Sequence, residues 1–99
     1  MFKLKIIRAF AAEQAMQLEK KIPAQILANQ AHRLSIAKTT KILEQHYFDA
    51  AKFKKDNSLG FIGISLLSNN IKWELKNKKY PEYFIEMAIE GLIVNLLKK

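Results

Sequence analysis

The chain has 99 residues, with 17 basic against nine acidic side chains, a formal charge of +8 and a pI near 9.8. Half of it is apolar, which excludes a disordered tail, and the length suits a single helical domain over residues 1–99. The lack of cysteine excludes disulfides and thiolate metal sites and fits a reducing, cytoplasmic setting.

Ile7, Ala11, Ala15, Leu18 and Ile22 recur at intervals of three and four, with Phe10 beside them, and predict a helix over about residues 2–21. Residues 2–6 alternate apolar and basic, which also suits a short extended start; the alanine-rich continuation favours helix. Pro23 and Pro81 stand where helices begin, because proline is tolerated in the first turn and not in the interior. Nothing forbids a long helix over residues 24–55. Ile26, Leu27, Ala31 and Leu34 form one stripe, however, and Ile36, Leu43, Tyr47 and Ala50 another that does not join it smoothly. A bend or break is expected near residues 35–40, with Ser35, Thr39 or Thr40 as an N-cap. Asp56, Asn57 and Ser58 read as a loop.

Residues 59–76 form the next helical region. Leu59, Ile62, Leu66, Asn70 and Trp73 share one line, and Phe61, Ile64, Leu67, Ile71 and Leu75 another. Apolar residues facing two ways predict a centrally placed helix with Trp73 in the core. The last helix, residues 81–97, opens on Pro81 and Glu82 and closes on Lys98 and Lys99, matching both ends of the helix dipole. Glu82, Glu86 and Glu90 predict a solvated acidic line, with Phe84, Ile85, Ala88, Leu92 and Leu96 on the buried side. Beyond Glu90, Leu92, Ile93, Val94, Leu96 and Leu97 leave almost no polar side, so this end needs cover. The expected cover is the Phe10 face of the first helix or another chain. The fold class is all-α: a bundle of four or five helices.

Several functional classes are disfavoured. No stretch approaches the roughly 20 apolar residues of a membrane span. Arg8 and Glu13 interrupt the apolar run that a signal peptide requires. Membrane-surface binding needs a basic helix with a bare apolar face, and the acidic first half of the last helix argues against it. His32 and His46 would lie about 21 Å apart on one helix, too far to share a metal. His46 with Asp49 one turn away, and Glu44 nearby, could orient an imidazole, but such trios also occur on ordinary solvated helix faces. Gly60-Phe61-Ile62-Gly63 lacks the lysine and the spacing of a phosphate loop. Residues 25–40 echo a helix-turn-helix, yet with Ala28 in the small-residue position His32 replaces the turn glycine. Arg33, Lys38 and Lys41 then occupy packing positions, so two amphipathic helices explain the segment better. No enzymatic activity, cofactor or metal is expected.

All the basic residues except Arg8 and Arg33 are lysines. Lysine is a hydrated point charge without the planar fork that reads base edges, so the charge attracts anions without reading a sequence. The abundance of Ile, Lys and Asn suits an AT-rich bacterial or mobile-element gene. The expected function is a non-enzymatic helical protein-interaction module, in concrete form a bacterial immunity, antitoxin or mobile-element accessory protein. Ile93, Val94, Leu96 and Leu97 are its candidate contact residues. The partner would present an acidic surface or bind through apolar contacts, and a homodimer is a variant of the same reading. The alternative is sequence-nonspecific nucleic-acid binding through Lys52, Lys54, Lys55, Lys72, Lys76, Lys78 and Lys79. It requires the lysine clusters, including Lys3, Lys5 and Arg8 and the pair Lys98 and Lys99, to converge, with Trp73, Tyr80 or Tyr83 free to stack on a base.

Overall fold

Five helices carry the regular structure of the described residues, 3–28 and 36–98, in the computed structural model. They are α1 (Leu4–Lys21), α2 (Ala24–Ala28), α3 (Ile36–Asp56), α4 (Phe61–Asn77) and α5 (Glu82–Leu97). The all-α expectation holds, and α1 begins at Leu4 with no extended start within the described residues. Residues 36–40, where a bend or break was expected, are continuous helix in α3, and a break ahead of Ile36 falls outside the described residues. Thr39 and Thr40 therefore lie inside α3, while the proposed cap Ser35, together with Ala31, His32, Arg33 and Leu34, falls outside the described residues.

The apolar stripe of α1 is buried throughout, from Ile7 through Ala11, Ala15 and Leu18 to Ile22 just beyond the helix. Its two alanines let a neighbour approach closely, and α1 makes its most extensive packing against α4. Both α4 and α3 pack on α5, and α3 returns to α1, so the long helices form a ring in the order α1, α4, α5, α3. Contacts fix the directions. Lys3 Nζ bonds Asn57 O beside the start of α4, and Lys78 Nζ meets Glu19 Oε1 at 3.1 Å near both C-termini, so α1 and α4 run parallel. Tyr47 donates to Met87 O and Lys54 to Leu96 O, so α3 and α5 also run parallel. Phe10 stacks on Phe53, with centroids 4.1 Å apart, and Gln14 meets His46, which makes α1 and α3 antiparallel. Although only residues 57–60 separate them, α3 and α4 sit across the ring from each other.

Both tight connections use the same stop. At the end of α3, Ser58 adopts a left-handed φ of 52°, Leu59 N–H bonds Lys54 O and Ser58 N–H bonds Lys55 O. At the end of α4, Lys79 has φ 70°, Tyr80 N–H bonds Leu75 O and Lys79 N–H bonds Lys76 O. These are Schellman motifs, with serine and lysine where glycine would be unstrained. Pro81 then precedes α5, and its carbonyl accepts from Phe84 and Ile85.

Along α5 the predicted division is complete: Phe84, Ile85, Ala88, Leu92 and Leu96 are buried, and Glu82, Glu86 and Glu90 are exposed. At Gly91 the helix backbone is bare, and Tyr47 of α3 lies so close that a Cβ there would overlap its hydroxyl and ring. The expectation for α4 needs correction. Ile64, Leu67, Ile71 and Leu75 enter the core, but Trp73 is 54% exposed and Phe61 and Ile62 also face outward. Among the described residues only α1 and α5 pack extensively against α4, which leaves Ile62 and Trp73 of its second apolar line outside while Leu59 and Leu66 are half-buried.

Candidate functional site

The extents of the bundle are 46 × 26 × 19 Å, so it has two well-separated ends. One end, here the charged end, gathers the N-termini of α1 and α4 and the C-termini of α3 and α5. The other, here the sealed end, gathers the C-termini of α1 and α4 and the N-termini of α3 and α5.

This arrangement divides the lysines named from sequence. Lys52, Lys54 and Lys55 lie at the charged end with Lys3, Lys5, Arg8 and Lys98, whereas Lys72, Lys76, Lys78 and Lys79 lie at the sealed end. The two groups do not form one face. Some of these lysines also have local partners. Lys54 Nζ donates to Leu96 O, placing a cation on the negative end of α5. Lys52 pairs with Asp56 at 3.4 Å, Lys78 with Glu19, and Lys76 sits over the Trp73 ring at 5.1 Å. Lys99 lies outside the described residues.

At the sealed end Tyr80 is buried, stacks on Phe84 and donates its hydroxyl to Ile22 O. Burial, with the Glu19 carboxylate adding to it, pushes its pKa up to about 12, so it stays a neutral donor. This takes Tyr80 out of reach of a stacking base. Trp73 and Tyr83 remain exposed.

The four contact candidates of α5 separate. Leu96 is fully buried within its own chain and cannot meet a partner without unfolding; Ile93, Val94 and Leu97 stay exposed. The first helix does not cover them with Phe10, whose ring is taken by Phe53. Tyr83, Met87, Val94 and Leu97 continue along the outward side of α5 at helical spacing, so the apolar strip runs the length of the helix and passes Glu90.

His46 is buried rather than solvated. Its Nδ1 faces Gln14 Oε1, a carbonyl that only accepts, so Nδ1 carries the proton. Burial lowers the imidazole pKa from 6.5 to about 4; Asp49 opposes this shift and Lys21 adds to it. Asp49 takes its hydrogen bond from Gln45 at 3.1 Å. Gln14 and His46 together form a polar clasp between α1 and α3.

A groove of about 400 Å³ opens at the charged end between the starts of α1 and α4, lined by Lys3, Ile7, Leu59, Phe61, Ile62 and Leu66. Phe61 and Ile62, 77% and 58% exposed, stand at its edge. Sequence reasoning assigned both to buried lines. The available signal was their position in the first turn after Gly60, where a helix projects past its neighbours.

No family model, curated protein or solved structure matches this chain.

Proposed function

We propose that the protein is a non-enzymatic interaction module that binds another protein through the outward face of α5. The observation that carries this reading is the exposed strip of Tyr83, Met87, Ile93, Val94 and Leu97, large apolar groups on one side of one helix. Large apolar groups gathered on one exposed helix face, even with Glu90 among them, suit a contact surface. A regular helix offering anchors at i, i+4, i+11 and i+14 suits docking into an apolar groove.

Charge narrows the partner. Glu86 and Glu90 lie on the same side as the strip, so a partner seated there is apolar and carries neutral or basic groups opposite them. The expected acidic partner surface fits the lysine-rich end better than it fits α5. Two-fold pairing of α5 with a second copy, centred on the strip, would set Glu90 against its own counterpart, which favours a different protein over a homodimer. A bacterial immunity, antitoxin or mobile-element accessory protein acting in the cytoplasm remains the concrete form of this proposal. Nucleic-acid binding through the seven lysines has less support, because they are divided between two ends.

The test is affinity capture from the native host after nuclease treatment, with the parent chain and a Val94→Asp/Leu97→Asp variant. The expected result is a protein retained by the parent in high salt and lost by the variant, with circular dichroism unchanged. Identical capture by both chains, or release of the partner by nuclease, would sink the reading.

A further inference from the structure

The surplus of basic over acidic side chains is larger at one end of the molecule because acidic side chains are scarce there, although Lys20, Lys21, Lys38 and Lys41 add to the lysines of the other end. Around the charged end stand Lys3, Lys5 and Arg8 of α1, Lys52, Lys54 and Lys55 of α3, and Lys98. Asp56 is the one acidic side chain among the described residues in the terminal turns there, and it is tied to Lys52. At the sealed end, by contrast, Glu19, Glu74, Glu82 and Glu86 intersperse the lysines. The acidic half of α5, which spoke against membrane contact in the linear sequence, is folded to the far end.

Large apolar groups protrude within this basic region. Phe61 and Ile62 occupy the first turn of α4, Phe61 being the most exposed large apolar side chain among the described residues, and Ile6 of α1 is exposed at the same end. Beside Phe61 and Ile62 opens the groove that Ile7, Leu59 and Leu66 also line. We propose that this end docks on an anionic lipid bilayer, with Phe61 and Ile62 entering the boundary between headgroups and acyl chains and Lys5, Arg8, Lys55 and Lys98 resting among the headgroups. Apolar insertion and electrostatic attraction to acidic lipids add in such contacts. Lysine, a compact hydrated charge on a long stem, suits a fluid headgroup layer that offers no fixed geometry. Nucleic acid fits less well. An aliphatic side chain such as Ile62 cannot stack on a base, and it would stand between the lysines and the phosphates. The proposal is independent of α5 and of any protein partner.

The single tryptophan supplies an internal control. Trp73 lies twelve residues along α4 from Phe61, about 18 Å toward the sealed end. Docking by the charged end leaves it in water.

The experiment is co-sedimentation of the whole chain with extruded vesicles of phosphatidylcholine alone or mixed with phosphatidylglycerol, at low and high salt. Binding to the anionic vesicles only, weakened by salt, with unchanged Trp73 emission, is expected. Phe61→Ser/Ile62→Ser should lower the affinity about tenfold or more, and Lys5→Gln/Arg8→Gln should lower it as well. The charge-matched pair Lys72→Gln/Lys79→Gln should have little effect. Circular dichroism checks that each variant is folded. The proposal is overturned by failure to bind anionic vesicles, by binding that ignores Phe61 and Ile62, by equal loss in the far-end pair, or by a blue shift of Trp73. Tight binding to duplex DNA through Lys5 and Arg8, without vesicle binding, would assign this end to nucleic acid instead.

Discussion

The two ends of the bundle are closed by different means. At the sealed end an aromatic ring does the closing: Tyr80 fills the space between α1 and α5, bonds Ile22 O and stacks on Phe84, and the surrounding charges are mixed. At the charged end two ammonium groups tie the helices together, Lys3 to Asn57 O and Lys54 to Leu96 O, while Phe61, Ile62 and Leu97 remain outside. The difference shows how one small bundle can separate its tasks. Tyr80 adds buried aromatic area at one end, whereas the lysine ties at the other leave Phe61 and Ile62 outside. Both ends bury apolar residues, and the sealed end also exposes Trp73 and Tyr83.

The largest test of that contrast is Tyr80→Ala. Truncating a buried aromatic should cost about 3 kcal/mol or more in urea denaturation, since the cavity and the unpaired Ile22 carbonyl add to the lost burial. A loss below about 1 kcal/mol would erase the distinction between the ends. The seam midway between them should govern sensitivity to acid. The folded pKa of His46, about 4, lies below the unfolded 6.5, so between these values the unfolded chain binds the extra proton. Stability from this group is therefore complete above pH 6.5 and falls as the pH drops toward 4, by up to about 3 kcal/mol. His46→Leu should flatten that part of the stability–pH profile; an unaltered slope would place the sensitivity elsewhere. The smallest effect belongs to the charged end. Phe61→Ser should change stability by no more than about 0.5 kcal/mol, as for an exposed site. A larger loss would mean that Phe61 belongs to the core.

Much of this was legible in the residues themselves. The α1 stripe from Ile7 to Ile22 and the two-sided pattern of α5 carry their burial in their period, because a helix with one charged line can turn only one face inward. The outward lines were harder. Trp73 and Ile62 share helical spacing with buried residues, and spacing cannot say which of two apolar lines finds a neighbour; the ring order of the helices decides it. Leu96 and Leu97 are chemically identical neighbours, yet one is buried and the other half exposed. His46 looked like a solvated residue beside Asp49, since its partner Gln14 lies thirty-two positions away. The lysine clusters could be listed from the sequence, but only the parallel pairing of α1 with α4 and of α3 with α5 reveals which of them share an end. The ends of α3 and α4 were legible as loops, but the left-handed turns at Ser58 and Lys79 that make them were not, for want of a glycine to mark them.

The notch at Gly91 bears on how α3 and α5 find their axial alignment. These helices run side by side in the same direction, so no short loop joins them and none can set how far one slides along the other. The Tyr47 ring resting on the bare backbone of Gly91 provides that stop. Slippage by one turn would bring Met87 or Asn95 beneath the ring, where a side chain bars the approach. Two turns further along α3, the Lys54 ammonium finds Leu96 O only when that alignment is kept. Gly91 thus works as a detent, a single missing methyl that holds two parallel rods in one setting.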